Sequence, residues 1–154
     1  LINTHTHIDH VLGCTFAQKE FGIKWLMHRE ALSILNEAPM FASLFGINKM
    51  EMSEPDGFID EETELKLDNN TIKILYTPGH APGSICLYVP SGNFVITGDV
   101  LFNGSIGRTD LTGGNYDLLI ESINTKLLTL PDNTVVYPGH GPATTIGHER
   151  TGNP

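Results

Sequence analysis

Apolar residues fall into short runs broken by turn formers, and two spacings alternate along the chain. Leu12 and Phe16 stand one turn apart between His10 and Glu20, which predicts a helix ended by Gly22 and preceded by Asp9 as a helix-start residue. Ile23-Lys24-Trp25-Leu26-Met27 alternates and predicts a strand with one wet face. A second helix begins near Arg29, carries Leu32, Leu35 and Ala38, and is interrupted by Pro39, with Met40 to Phe45 continuing in a new direction. Lys49 to Glu64 is acidic, rich in turn formers, and is expected to be a surface loop. Leu65-Lys66-Leu67 and Ile72-Lys73-Ile74 flank Asp68-Asn69-Asn70 as a hairpin, and Ile85–Val89 with Phe94–Thr97 flank Pro90-Ser91-Gly92-Asn93 as another. Gly104 to Asn115 is a glycine-rich loop. From Tyr116 a helix sets Ile120, Ile123, Leu127 and Leu130 on one stripe until Pro131. Strands interleaved with helices predict an α/β layered domain.

Length and hydrophobic content, 154 residues and 40%, suit one domain over residues 1–154 with a substantial core. The formal net charge of -9, with only 9 Lys and Arg, leaves no broad basic face, so no nucleic acid and no anionic membrane surface is expected as a partner. Cys14 and Cys86 are too few for a disulfide framework and are expected to be reduced, buried and apolar in character. No run is long and apolar enough to span a bilayer and no basic-then-apolar leader opens the chain, so a cytoplasmic location is expected.

Candidate chemistry sits at the ends of four apolar runs. Leu1-Ile2 leads to His5, Ile74-Leu75-Tyr76 to His80, Phe94-Val95-Ile96 to Asp99 and Val135-Val136-Tyr137 to His140. If these runs are neighbouring strands, their ends bring five His and two Asp to one sheet edge, a full shell for two metal ions. Thr4-His5-Thr6-His7-Ile8-Asp9-His10 is the densest cluster. It must be a loop, because a helix would turn His7 and His10 away from His5, whereas an extended backbone puts His5 and His7 on one side. Pro78-Gly79-His80 and Pro138-Gly139-His140 share one local grammar, a strand, a Pro-Gly turn and an inward imidazole. Asp99 at a strand end can bridge two ions with its two oxygens. His28 and His148 are expected to be structural or exposed. Arg108, the one basic residue of the glycine-rich loop, is positioned to meet a substrate carboxylate or to pair with Asp110 or Asp117.

With Ser105-Ile106-Gly107-Arg108-Thr109-Asp110 added to these motifs, the chain resembles the metallo-β-lactamase superfamily almost end to end, and within it the short bacterial glyoxalase II (hydroxyacylglutathione hydrolase) group. The resemblance implies an αββα sandwich. It implies one metal held by His5, His7 and His80, a second by Asp9, His10 and His140, and Asp99 as the bridge. It further implies two divalent ions, Zn first with Fe or Mn as alternatives, and hydrolysis of a small-molecule thioester such as S-lactoylglutathione by a hydroxide between them. Asp9 would orient that nucleophile, which with the bridging Asp99 makes the two catalytic residues, and Arg108 would bind substrate. A thiolate leaves readily, so no strong general acid is needed.

Two departures bear on these expectations. Glutathione-binding members present a Tyr shortly after the last His and basic residues from a C-terminal helical domain, whereas Gly141-Pro142 follows His140 here. The superfamily sandwich also begins with strands upstream of the first His motif. The expectation is therefore a domain without those N-terminal strands, whose bare edge and apolar face favour a homo-oligomer. Alternatives are a persulfide dioxygenase using His5, His80 and Asp99 around one Fe(II), and a non-catalytic metal-binding scaffold. A lactonase is disfavoured by Phe102 near the bridging Asp, and a true β-lactamase by Asp99, where those enzymes often place Cys.

Overall fold

Two alternating strand-helix rhythms resolve into four layers in the computed structural model, which describes Leu1 to Pro154. The main sheet contains β3 (Leu65–Leu67), β4 (Asn70–Tyr76), β5 (Ile85–Val89), β6 (Phe94–Gly98), β9 (Val135–Pro138) and β10 (Thr144–Thr145), in the order β10-β9-β6-β5-β4-β3. A second sheet is reduced to β1 (Leu26–Met27) paired in parallel with β2 (Gly57–Phe58), with a bridge from Ile2 to Leu26. A short hairpin, β7 (Leu101–Phe102) with β8 (Ser105–Ile106), follows β6. The helices are α1 (Ile8–Val11), α2 (Cys14–Phe21), α3 (Leu32–Leu44), α4 (Tyr116–Ser122) and α5 (Ile146–Gly152).

Strand alternation assigns each face of the main sheet its own core. Cys86, Val95 and Val136 point to one side, where they pack with Leu119 of α4, Ile123, Leu127 and Ile146 of α5. Ile74, Ile85 and Leu87 point to the other and meet Ile59, with Ile2 and Leu26 of the small sheet against them. Beyond that sheet, Trp25 and Met27 are wholly buried against Val11, Cys14, Ala31, Leu35 and Ala38 of the α1–α3 layer. The order helices, sheet, sheet, helices is the expected αββα sandwich. At β6 and β9 the inner face is open, exposing Ile96 and Tyr137, with Phe94 edge-on to Tyr137 at 5.7 Å between ring centroids.

Several elements differ from the sequence-based reading. The first helix is two pieces that break at Leu12-Gly13, and it starts at Ile8 rather than His10; His7, not Asp9, is the helix-start residue, and Asp9 lies in the first turn. Pro39 does not interrupt α3, because the buried stripe Ile34, Leu35, Ala38 and Ala42 holds the helix through it. Residues 49–64 are not only loop: a sheet edge at β1 needs a partner, and β2 supplies it, fixed by Asp56 accepting from the Trp25 amide at 2.8 Å. After α4 the helix widens over Ile123–Leu127, where Leu128 N donates to Ile123 O at 2.9 Å. Leu119 rather than Ile120 is buried, and the stripe packed on the sheet is Leu119, Ile123 and Leu127. Leu1-Ile2 is not a strand of the main sheet and reaches only the small one. Both hairpins form as expected, the first with a two-residue turn in which Asp68 takes φ 53°.

Candidate metal centre

Sheet polarity decides where the chemistry gathers. β4 runs antiparallel to β5, β5 antiparallel to β6, and β6 parallel to β9. Three strands, β4, β6 and β9, therefore share a direction, and the loops leaving their C-terminal ends carry His80, Asp99 and His140 to one edge. The N-terminal segment joins that edge where Ile85 N donates to Thr4 O at 2.8 Å. His5 and His7 are extended there. The switch to helix at Ile8 then swings Asp9 and His10 to the adjoining side.

All seven expected side chains meet. His5, His7 and His80 form one group, Asp9, His10 and His140 another, and His5, His10 and Asp99 a third between them; within each group the ligand atoms lie within 4.8 Å of one another. His5 and His10 each belong to two of the groups, and Asp99 lies near members of both outer ones: its Oδ1 is 3.5 Å from His10 Nε2, and its Oδ2 is 3.9 Å from His80 Nε2 and 3.6 Å from His140 Nε2. Asp9 Oδ2 is 3.0 Å from His140 Nε2 and 3.5 Å from His10 Nε2. The first group is the buried one, with His5 and His80 at 1% and 2% exposure, whereas Asp9 and His140 are exposed.

The local chemistry fits cations. Nε2 of His5, His10 and His80 and Oδ1 of Asp99 are buried without a hydrogen-bond partner, a costly arrangement that a positive ion at their centre would relieve. His80 Nδ1 lies 2.8 Å from the Arg108 carbonyl, which can only accept, so Nδ1 carries the proton and the Nε2 lone pair faces the cluster. Burial lowers the His5 and His80 imidazoles, with neighbouring imidazoles adding to it, and pushes His7 down to about 4; all three are neutral ligands at pH 7. For Asp99, burial would raise the carboxyl, but His10, His140 and His80 together hold it below its usual value. Burial would likewise lower His10, and the Asp99 and Asp9 carboxylates instead raise it.

Close backbone packing keeps the geometry tight. A Cβ on Gly139 would lie 2.2 Å from Asp99 Oδ1 and 2.9 Å from His10 Cε1, and one on Gly107 would lie 1.9 Å from the Asp99 carbonyl. Gly139 N donates to Gly98 O at 2.8 Å, tying the Asp99 and His140 loops together. Sequence reasoning missed Asn3, whose amide donates to His10 O and whose Oδ1 accepts from the Trp25 indole and the Cys14 thiol. A lone Asn before a histidine cluster carries no signal of that role.

The remaining candidates sit outside the cluster. Arg108 is exposed and makes two 2.7 Å bonds to Asp110, which hold that carboxyl at about 2; of the two pairings anticipated for it, the structure shows the Asp110 one. His28 caps the turn before α3 and stacks on Tyr76, and His148 is exposed. Cys14 and Cys86 are free and buried.

A four-layer α/β domain with two adjoining groups of His and Asp side chains, and Asp99 near members of both, defines a candidate metal-binding protein. The family model of the metallo-beta-lactamase superfamily matches residues 1–140, and the chain belongs to that superfamily. It is 41% identical over 156 residues to hydroxyacylglutathione hydrolase GloC of Haemophilus influenzae, covering all of this chain and 74% of that protein. It is 40% identical, with the same coverage, to the probable metallo-hydrolase YqgX of Bacillus subtilis. The solved structure of TTHA1623 in a di-iron-bound form superposes with a TM-score of 0.90 at 35% identity, covering 99% of this chain and 75% of that one.

Proposed function

We propose that this protein is a dinuclear metallohydrolase that cleaves a small-molecule thioester of the S-acylglutathione type. The observation that carries the reading is the second group: Asp9, His10 and His140 are assembled beside His5, His7 and His80, with Asp99 facing both. A persulfide dioxygenase needs only His5, His80 and Asp99 around one Fe(II), and the complete second group has no task in that chemistry. The kinship with a hydroxyacylglutathione hydrolase supports the thioester class.

Divalent ions bound here, Zn foremost with Fe or Mn as alternatives, would supply Lewis acidity that lowers the pKa of the attacking water and polarises the thioester carbonyl. His5, His7 and His80 would hold one ion, and Asp9, His10 and His140 the other. Asp99, whose carboxylate lies between imidazoles of both groups, would serve both ions. Asp9, exposed at the rim, would orient the attacking water and take its proton. The thiolate leaves without a strong acid, which matches a site whose buried imidazoles stay neutral. No helix is long and apolar enough to cross a membrane.

Elemental analysis beside an assay of S-lactoylglutathione, a persulfide and a lactone tests the reading. Two metal ions per chain with thioester turnover is the expected result. One iron per chain with persulfide oxidation would overturn it.

A further inference from the structure

A cavity of about 570 Å³ opens directly onto His7, Asp9, His80 and Asp99, and its walls are of another character from its floor. Leu12 comes from the break between α1 and α2, Ile34, Ala38 and Phe41 from successive turns of α3, Phe45 from its C-terminal cap, Ile47 from the segment after it, and Leu111 from the loop opposite. Of these, Leu12 is 46%, Phe45 71% and Leu111 38% exposed. Large apolar side chains standing in water around a polar floor are unfavourable unless something apolar covers them. The volume suits a small organic ligand.

The charges sharpen this. Apart from the floor residues, the only titratable side chain on the cavity is Arg108, and both its bonding edges toward Asp110 are already satisfied at 2.7 Å. A substrate arm bearing carboxylates, as the glutathionyl group does, would find a single cation along this wall, Arg108, whose charge is already matched by Asp110. An aliphatic or aromatic arm would find Phe41, Ile34 and Leu111 ready.

Resting on the thioesterase reading, we propose that the physiological substrate is a thioester carrying an apolar arm several carbons long, seated against α3 and Leu111, and that Phe41 and Leu111 determine this specificity. The arm can belong to the acyl group or to the thiol, and the chemistry that recognises it is the same.

Two substrate series separate these sources. One runs from acetyl to hexanoyl on N-acetylcysteamine, the other from ethanethiol to hexanethiol as acetyl thioesters. In one series kcat/KM is expected to rise about three- to fourfold per added methylene, mostly through KM, as the cavity fills. Phe41→Ala and, on the opposite wall, Leu111→Ser are each expected to shrink the long-to-short ratio about tenfold. Binding gives a readout that needs no turnover: the ketones in which methylene replaces sulfur should bind the metal-free protein more tightly as they lengthen, by calorimetry, and lose that trend in both variants. Flat profiles in both series and in the ketones, or S-lactoylglutathione outperforming every apolar thioester, would overturn the inference. Length-dependent ketone binding without hydrolysis of any thioester would uphold the apolar site while discrediting the thioesterase reading.

Discussion

At the residue scale the centre depends on groups that are polar, buried and mutually dependent. Replacing His80 by Ala or Asp99 by Asn is expected to cut thioester turnover by orders of magnitude with the circular dichroism spectrum unchanged, because each removes a ligand atom from the cluster and leaves the sheet cores untouched. Near-normal turnover in either variant would defeat the assignment. Gly139→Ala should weaken metal binding at least tenfold in a chelator competition, since its Cβ would enter the space of Asp99 Oδ1 and His10 Cε1; unchanged affinity would mean the loop has room to yield. The imidazoles also set a pH dependence. Burial lowers His5, His7 and His80 in the folded chain, so as pH falls through 6.5 the unfolded state takes up protons first and metal-free stability falls. His10, raised, works in the opposite sense, and Asp99 is ionised between pH 7 and pH 5. Each fully buried lowered imidazole contributes at most about 1.4 kcal/mol per pH unit, with part-buried His7 counted for less. A urea midpoint in chelator that does not move between pH 7 and pH 5 would contradict this. All seven cluster residues were legible in the sequence because ligand types crowd at run ends; Asn3 was not, since its work is done through contacts with Trp25, Cys14 and the His10 carbonyl.

At the scale of elements, packing overrode local rules where an apolar face demanded it. Pro39 removes one helix hydrogen bond and crowds the preceding turn, yet α3 runs from Leu32 to Leu44 because Ile34, Leu35, Ala38 and Ala42 are buried along it. Pro39→Ala should therefore stabilise the fold by about 2 kcal/mol, the gain in the helix (~3) exceeding the loss of unfolded-chain stiffness (~1). A lower melting temperature in the variant would show that the ring packs productively. The hairpins were readable because turn residues and alternation lie within a few positions. β2 was not, because two residues carry no periodicity and pair only across a long stretch of chain. The wide turn at Ile123–Leu127 was invisible for a related reason: a helical stripe fits the sequence with or without one extra residue, and only Leu119 packing on the sheet selects between them.

At the scale of the whole molecule, ions and fold should be thermodynamically linked, because the ligands come from four separated stretches of chain that only the folded state brings together. A divalent ion at a hundred times its dissociation constant is expected to add about 2.7 kcal/mol and raise the melting temperature by several degrees, with chelator reversing the change. A melting temperature indifferent to metal would argue for a scaffold without a functional centre. The sequence by itself determined the ligand inventory, the hairpins, the layered α/β class and its superfamily, since each is written in residue types and spacings a few positions long. Only the tertiary structure decided that Arg108 is paired with Asp110 rather than Asp117, that Asn3 ties the His10 backbone to Trp25, and that α3 walls an apolar cavity over the site. Those outcomes follow from strand polarity, helix register and the way layers close on one another, which couple residues far apart in the chain.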